Sequence, residues 1–365
     1  MRIAVHAKVL SERHLNGMGY YAYNLLKSLA RIDTQNHYDL YTSHPLVHRI
    51  EAQNFHERIC PFPVYWTTFR LPFDIIRNTC DLLFVPIEKL PPLVRCRKVI
   101  TVHDLLTLRE YLKSPISLTA KLHFLKAIGW TIRRADRVIA VSEATRRNIL
   151  DIVGIDPDRV VVTPLGYDGS VFYPRGEEET ERVKQKYRTG ERYFINTSSL
   201  LWYRKNLVRL IRAFHGSRTT TDCRLVITGT RGEAYGDIMD TISRYGLEKD
   251  VILTGYVPLD DMPCLLSGAV ALVFPSLHEG FGLPIVEAMA CGCPVITSNR
   301  SSMPEVTQDA GILIDPYDED AIRQAMIRIA TDTTLRDELI IRGFERVKEY
   351  KWERTAELTL RVFTG

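Results

Sequence analysis

The stretch AVALVFPSLHEGFGLPIVEAMACGCPVITS, residues 269–298, decides the fold class. Its two ends, AVALVFP and PVITS, are continuous apolar runs rather than alternating ones, which is typical of strands buried on both faces. Between them, Pro284 suits the first turn of a helix, and Gly292 suits the stop after Cys291. Two buried strands joined by a helix predict a parallel sheet covered by helices.

The same alternation of strands and helices extends over nearly the whole chain. Further strand-like runs are RIAVHA, HYDLYT, DLLFVP, KVITVHD, RVIAVS and RVVVTP in the first half, and YFINTS, CRLVITG, DVILTG and GILID in the second. Helical periodicity marks residues 20–31, 117–135, 143–153, 207–215, 233–245, 259–267 and 284–291. Ser142 is the predicted N-cap of the third of these helices.

The polar stretch PRGEEETERVKQKYRTGERY, residues 174–193, interrupts this alternation, and we place a linker there. A chain of 365 residues is also too long for one compact core. We therefore expect an α/β protein with two Rossmann-like, doubly wound domains that face each other across a cleft. The first comprises residues 1–175 and the second residues 190–350. A helical segment at 351–365 crosses back onto the first domain.

The composition excludes several classes of protein. Hydrophobic residues at 45% and charged residues at 25% are ordinary globular values. The net charge of +4 suits an anionic membrane surface or an acidic substrate, but no basic stripe predicts nucleic-acid binding. No signal peptide is visible, and no apolar run approaches the roughly 20 residues that span a bilayer. Seven cysteines without a CxxC pair indicate reduced thiols in the cytoplasm.

The loop after AVALVFP is the main candidate site, because ligands of open parallel sheets bind beyond the carboxyl ends of strands. Gly280 and Gly282 let the backbone approach a ligand closely. The helix dipole and the free amides that follow form a site for a phosphate or sugar oxygen. These are the amides of Phe281, Gly282 and Leu283.

Two glutamates flank this loop. Glu287, expected in the first turn of the helix, is able to accept two hydrogen bonds from a vicinal diol such as that of ribose. Glu279, in the loop, would face the part of the ligand that lies beyond its phosphates. The alternative is that Glu287 only complements the helix N-terminus and that Glu279 is solvated. Both glutamates together, beside GFGLP at a strand end, favour a ligand site.

The stretch EGFGLPIVEAMACGCPV resembles the signature of glycosyltransferase family 4, which comprises retaining enzymes of the GT-B fold. The flanking text resembles the family across about residues 190–350, and NGMGYY, VITVHD, VIAVSEATRRNIL and VVTPLGYDGSVFYP extend a looser similarity through the first half. The subgroup resembled most builds bacterial surface polysaccharides such as lipopolysaccharide O-antigen and often uses mannose. The resemblance implies that Glu287 holds the nucleotide ribose. It implies that Glu279 and the following amides hold the donor sugar.

Two further motifs carry candidate catalytic residues. Arg204 and Lys205 follow the first strand of the second domain, where two cations could neutralise a diphosphate leaving group; the alternative is a solvated basic loop. Many family members carry their arginine some residues before the lysine, so Arg204 would replace it here. His103 ends the strand KVITVHD, and the resemblance implies contact with the donor sugar, with Asp104 fixing its orientation. The alternative is a histidine satisfied by local hydrogen bonds.

The run NGMGYYA contains Gly17 and Gly19 in a GxGxxA pattern that is close to a dinucleotide fingerprint. About ten residues separate it from the preceding strand, whereas a true fingerprint follows its strand at once. The spacing therefore disfavours NAD binding. A glycine-rich loop that opens onto helix 20–31 could still contact a phosphate of the donor, and a flexible turn is the alternative.

The acidic triplets at residues 156–158 and 318–320 match the DxD pattern of some cation sites. The first lies at the entry end of a strand, and the second begins a helix as a capping acid. We therefore interpret both as structural and expect no essential metal or other cofactor. Helix 117–135 mixes apolar positions with Lys121, Lys126, Arg133 and Arg134. Most such helices face their own core, and the alternative is a membrane-surface helix that meets a lipid-linked acceptor.

The residues and the resemblance together predict a hexosyltransferase, and the resemblance implies that it retains the anomeric configuration. It moves a sugar, for which we take mannose, from a nucleotide-diphosphate sugar to a glycan or lipid-linked acceptor hydroxyl. The expected location is the cytoplasm, at the inner face of the membrane. Two alternatives remain: a nucleotide-sugar epimerase, and a non-catalytic subunit that binds a nucleotide sugar.

Overall fold

The computed structural model of the chain describes residues 1–62, 64–87, 89–105, 127–198 and 203–365. The chain forms two compact units. The first comprises residues 1–166 and 351–365, and the second comprises residues 167–350. Within the described ranges, no helix is long and apolar enough to cross a membrane.

The first unit is built on a parallel sheet of seven strands in the order β3-β2-β1-β4-β5-β6-β7. Its strands are β1 Arg2–His6, β2 His37–Thr42, β3 Phe55–Ile59, β4 Leu82–Val85, β5 Arg97–Val102, β6 Arg137–Ala140 and β7 Val160–Val162. Its helices are α1 Gly17–Ile32, α2 Leu71–Arg77 and α3 Glu143–Val153, and residues 127–134 are also helical. The central strands are buried on both faces, as their continuous apolar runs predict.

The C-terminal helix, Trp352–Thr364, packs against α1 in the first unit. Its last turn is held by Arg97 of β5, whose guanidinium donates to the carbonyl oxygens of Val362 and Phe363, each at 3.0 Å. Phe363 is fully buried and packs edge-on against Phe84 of β4. The C-terminal segment is therefore part of the first unit.

The second unit is built on a parallel sheet of six strands in the order β10-β9-β8-β11-β12-β13. Its strands are β8 Tyr193–Thr197, β9 Arg224–Thr228, β10 Val251–Gly255, β11 Ala271–Phe274, β12 Val295–Ser298 and β13 Gly311–Ile314. Its helices are α4 Glu177–Tyr187, α5 Leu207–Thr221, α6 Tyr235–Arg244, α7 Met262–Ser267, α8 Leu283–Ala290, α9 Met303–Thr307, α10 Glu319–Thr331 and α11 Thr333–Val347. Both units are therefore doubly wound, as predicted.

The linker predicted at residues 174–193 was wrong. Residues Glu177–Tyr187 form helix α4, which packs against α7 within the second unit. Only Thr180 and Val183 of this helix are buried, and most of its other residues are glutamates and lysines. A helix with so narrow an apolar stripe reads as a polar tract in the sequence. The boundary between the units lies instead at Gly166, before Tyr167.

Strand β3 was also missed by the sequence pattern. Its residues, FHERI, lie at the edge of the sheet, and only Phe55 is buried. An edge strand with one buried side chain does not produce the apolar run that identified the other strands.

Gly166 is the glycine with the least room in the first unit. A Cβ at this position would lie 2.2 Å from the backbone nitrogen of Trp352. We expect Gly166→Ala to displace the start of the C-terminal helix and to lower the free energy of unfolding by roughly 1–3 kcal/mol. Gly236→Ala in α6 is the matched control, because an added Cβ there meets no atom within 4 Å. Urea unfolding of both variants measures the difference, and equal stabilities would contradict the packing.

Candidate functional site

The order of strands in the second sheet brings two distant parts of the sequence together. From β8 the chain proceeds to β9 and β10 on one side of the sheet, while β11, β12 and β13 lie on the other. The carboxyl ends of the neighbours β8 and β11 therefore flank the point where the strand order reverses, which is where open α/β sheets bind ligands. Arg204 and Lys205 follow β8, and Glu279 follows β11.

These three side chains form a buried cluster of charges. Lys205 Nζ lies 2.6 Å from Glu279 Oε1, and Arg204 Nη1 lies 3.1 Å from Glu279 Oε2. Arg204 also donates to the carbonyl oxygen of His278 at 3.0 Å. Lys205 and Glu279 are both more than 90% buried. A solvated basic loop and a solvated Glu279, the structural alternatives from the sequence, are therefore wrong.

The cluster keeps Glu279 ionised. Burial alone raises the pKa of this carboxyl, but the charges of Lys205 and Arg204 outweigh burial, so the pKa lies below its ordinary value. The sequence predicted that the two cations act on a diphosphate and that Glu279 lies beyond it. The structure adds that Glu279 is the partner of both cations, which leaves one positive charge in excess over the cluster.

Sequence reasoning missed the residues that hold the Glu279 loop. Ser301 and Ser302 donate their hydroxyl groups to the carbonyl oxygen of Glu279 at 2.6 and 2.9 Å, and Ser302 also contacts the carbonyl oxygen of Phe281 at 2.8 Å. Both serines follow β12, the neighbour of β11. Their position in SNRSSMPE, directly after a predicted strand next to the candidate loop, is the signal that could have found them.

Asn206 fixes the other side of the cluster. Its side-chain amide donates to the carbonyl oxygens of Pro275 and Pro316 at 3.1 and 2.6 Å, and its φ is +60°. Asparagine tolerates this left-handed conformation better than most residues. It lies between the cationic pair and α5, so it links the end of β8 to the loop after β11.

The glycine loop leads into α8 as predicted, with one correction. Gly282 has a φ of +106° and precedes the helix, and Gly292, with a φ of +70°, follows it. The amides of Phe281, Gly282 and Leu283 find no hydrogen-bond acceptor among the residues that the structure describes. Because α8 begins at Leu283, Glu287 lies in the second turn, not the first, and does not act as a capping acid.

Glu287 is half-buried on α8, and no hydrogen bond or ion pair reaches its carboxylate from the described ranges of the chain. Burial raises the pKa of this carboxyl to about 7. A carboxylate without partners in a poorly hydrated site gains from any ligand that brings hydroxyl donors.

His103 and the glycine pair lie in the first unit. His103 follows β5, and its Nε2 donates to the carbonyl oxygen of Pro86, after β4, at 3.0 Å. Its ring packs edge-on against Tyr21 of α1, with 4.7 Å between ring centroids. These contacts agree with the structural alternative, a histidine held by local hydrogen bonds, and the contact of His103 with a sugar stays a prediction.

Gly17 and Gly19 lie inside the first turn of α1 rather than in a loop before it, so the predicted glycine-rich loop was wrong. Asn16 caps this helix, since its side chain accepts from the amide of Gly19 at 3.0 Å. A Cβ at Gly19 would lie 2.9 Å from Leu15, whereas a Cβ at Gly17 would meet no atom within 4 Å. Close packing therefore explains the glycine at position 19 but not the one at position 17.

The two acidic triplets are placed as the sequence predicted. Asp156 accepts from the amide of Asp158 ahead of β7, and Asp318 caps α10 by accepting from the amides of Asp320 and Ala321. The described part of the chain contains no cluster of three or more histidine, cysteine or acidic side chains that could hold a metal ion.

Some candidates of the sequence fall outside the described residues. These are Lys121 and Lys126 of the predicted helix 117–135, together with Ser199 and Leu200 ahead of the cationic pair. The end of that helix is described. Arg133 donates to the carbonyl oxygen of Val153 at 2.9 Å, and Arg134 stacks over Trp130 at 4.7 Å.

The raised pKa of Glu287 predicts a pH-dependent stability. The folded state binds this proton more tightly than the unfolded chain, so the carboxyl destabilises the protein progressively as pH rises from the ordinary range of carboxylates through about 7. We expect Glu287→Gln to stabilise the ligand-free protein by on the order of 2 kcal/mol at about pH 8, with no gain below about pH 4. Thermal melts across this range measure the effect. Glu248→Gln, at an exposed loop residue, is the control, and a gain that persists in acid would contradict the assignment.

Comparisons with known proteins agree with this architecture. The family model described as glycosyl transferases group 1 matches residues 177–346, and the model described as glycosyltransferase family 4 matches residues 15–171. The O-antigen chain mannosyltransferase B of Escherichia coli is 33% identical over 240 residues, which cover 65% of this chain and 63% of that protein. The serotype-specific mannosyltransferase WbdA of Escherichia coli is 32% identical over 237 residues, which cover 63% of this chain but 29% of WbdA.

The matched region thus spans less than two thirds of the length of either relative. A crystal structure of Anabaena Alr3699/HepE in complex with UDP and glucose superposes with a TM-score of 0.79 over 100% of this chain and 99% of that one, at 18% identity. This likeness shows a shared GT-B fold. The two family models show that the chain contains a domain of glycosyltransferase family 4, residues 15–171, and a domain of glycosyl transferases group 1, residues 177–346.

Proposed function

We propose that the protein is a retaining glycosyltransferase that moves a hexose from a nucleotide-diphosphate sugar to an acceptor hydroxyl. The observation that carries the proposal is the buried cluster of Arg204, Lys205 and Glu279 at the reversal of strand order. It lies beside the amides at the start of α8. An excess positive charge next to unpaired amides is what a diphosphate requires.

The donor occupies the second unit in this proposal. Its diphosphate lies against Arg204, Lys205 and the amides of residues 281–283, and its ribose diol donates to Glu287. The Anabaena structure with the same fold holds UDP and glucose, which are the two components of a nucleotide-diphosphate sugar. Mannose is the proposed sugar, because the relatives from Escherichia coli are named mannosyltransferases. A glycan or a lipid-linked oligosaccharide is the proposed acceptor.

The reaction breaks the bond between the anomeric carbon and the diphosphate oxygen, which keeps the electron pair. Arg204 and Lys205 stabilise the charge that develops on this leaving group. The acceptor hydroxyl forms the new bond on the same face of the sugar, and its proton passes to the departing phosphate oxygen. Retention of configuration follows from this geometry. His103 of the first unit is proposed to contact the donor sugar.

No resident metal or other cofactor is proposed, since the excess charge of Arg204 and Lys205, together with the amides at the start of α8, supplies the attraction that a divalent cation would otherwise provide. It places the protein in the cytoplasm, at the inner face of the membrane. All seven cysteines, each of which lies in the described ranges, are free of disulfide bonds, as is usual for a reducing compartment.

A transfer assay distinguishes this function from its alternatives. Incubation with GDP-mannose and acceptor should yield a product of retained anomeric configuration, also in the presence of EDTA. An epimerase alters the donor without acceptor, and a binding subunit leaves it unchanged under all conditions. Either of these two results contradicts the transferase function. A product of inverted configuration contradicts retention, and loss of transfer in EDTA contradicts a reaction without a metal.

Lys205 should be essential for the chemical step. We expect Lys205→Met to lower kcat by about 10²- to 10³-fold, because one donor to the developing charge is lost. Glu279→Gln should lower it as well, since the position of both cations depends on the carboxylate. Lys348→Met is the matched control: this lysine pairs with Glu345 at the same distance of 2.6 Å but is exposed. Melting curves exclude unfolding, and unchanged kcat in Lys205→Met would remove the cluster from the mechanism.

Nucleotide binding should depend on pH through Glu287. A ribose diol donates to the ionised carboxylate, so binding lowers the raised pKa of about 7 and affinity should decline as pH falls below that value. For Glu287→Gln we expect affinity about tenfold weaker at high pH, since one charged acceptor is lost, and a smaller pH dependence. Titration calorimetry with UDP and GDP measures both. A wild-type pH dependence retained in the variant would assign the effect to another group.

A further inference from the structure

The helical segment Trp66–Arg77 of the first unit is apolar on two faces. One turn of π-helix, Trp66–Arg70, continues directly into α2. Trp66, Leu71 and Ile75 point inward and are at least 97% buried. A surface helix ordinarily presents polar side chains on its other face, and one that is apolar all round is usually covered by a second partner.

The outer face of this segment consists of large apolar side chains. Tyr65, Phe69, Phe73 and Ile76 follow each other at spacings of three and four residues, and each is 55–70% exposed. Tyr65 and Phe69 contact edge-on, with 6.2 Å between ring centroids, and exposed Phe62 and Val64 precede them in the chain. We call residues 62 and 64–77, with these exposed side chains, the aromatic ridge. Contiguous apolar surface of this kind marks an interaction site.

The charges around the aromatic ridge are predominantly positive. Arg70 and exposed Arg77 lie on the helix itself, and its only acid, Asp74, is buried and paired with Arg70 at 2.7 Å. Lys8 lies over the ring of Trp66 at 5.9 Å. Lys8 and Lys89 also act electrostatically on His6, whose ring packs edge-on against Trp66 at 5.2 Å. The ridge thus combines apolar rings with an excess of cations.

We infer that the aromatic ridge docks onto a bilayer surface that contains anionic lipid. Aromatic rings favour the headgroup level of a bilayer, and arginine and lysine attract anionic headgroups. The helical segment is too short to span the hydrocarbon, so it lies in the plane of the interface with Tyr65, Phe69, Phe73 and Ile76 toward the acyl chains. Protein interfaces are also enriched in aromatic residues and arginine but are depleted of lysine, so the lysines beside the ridge, Lys8 and Lys89, favour the bilayer over a protein partner.

This surface differs from helix 117–135, for which membrane contact was only the alternative interpretation of the sequence. The inference rests on the proposed function in one respect: docking onto the bilayer would give the enzyme access to a lipid-linked acceptor. The contact itself requires no donor, so it is testable without any transfer assay.

Cosedimentation with vesicles tests the inference on the full chain. The probes are vesicles of phosphatidylcholine alone and of phosphatidylcholine mixed with phosphatidylglycerol. We expect the wild type to bind the anionic vesicles preferentially and Phe69→Ser/Phe73→Ser to lower the partition coefficient by about tenfold or more. Arg77→Glu should weaken binding to the anionic vesicles only.

A matched pair of isoleucine variants tests whether vesicle binding depends on the ridge rather than on exposed apolar side chains in general. Ile76→Ser should weaken binding, whereas Ile341→Ser on α11, where the isoleucine is 65% exposed, should leave it unchanged. All variants should retain wild-type melting and wild-type affinity for UDP, which separates this result from a failure of the proposed function. Equal binding of wild type and ridge variants overturns the inference, as does the absence of wild-type binding. Light scattering tests the alternative that the ridge binds a second copy of the chain. If the wild type is a dimer that Phe69→Ser/Phe73→Ser converts to a monomer, and no vesicle binding is seen, the inference is also overturned.

Discussion

The buried carboxylate of Glu279 is the constraint on which the site in the second unit depends. A charge removed from water is tolerated only when it is paired and hydrogen-bonded, and loss of one partner leaves it uncompensated. Lys205 and Arg204 must therefore lie within contact of this side chain. Ser301 and Ser302 hold the backbone of the same residue. Three segments, after β8, β11 and β12, are thus fixed around one carboxylate.

Sheet topology explains how residues 74 and 75 positions apart in sequence form this cluster. In a parallel sheet all carboxyl ends lie at one edge, and only at the reversal of strand order do neighbouring loops diverge and leave room for a ligand. The neighbours β8 and β11 occupy that position. The helix that follows β11 adds its free amides at the same edge. The charges of Arg204 and Lys205 and the dipole of α8 therefore act at the same edge of the sheet, and no long insertion in the chain is needed.

Much of this architecture could be predicted from the sequence, because buried parallel strands are continuous apolar runs. AVALVFP and PVITS identified β11 and β12, and EGFGLP placed the glycines before α8. The edge strand β3 and the highly charged helix α4 escaped, since each buries only one or two side chains. The pairing of Glu279 with Lys205 could not be foreseen, because it depends on which strands are neighbours. The aromatic ridge was missed for a similar reason, because the positions of apolar residues in the sequence do not reveal which face of a helix packs against the core of its own unit.

The two glutamates of the α8 region illustrate how environment separates identical side chains. Two adjacent cations keep Glu279 ionised, whereas Glu287, eight residues later on a helix with buried Val286 and Ala288, has a pKa raised to about 7 by burial alone. A diphosphate that approaches the cluster meets one excess positive charge, because Glu279 compensates one of the two cations. That single charge is too little to balance a group with two or more negative charges. The amides at the start of α8 must supply the remaining attraction, and so the cations and the helix are both required at the same edge of the sheet.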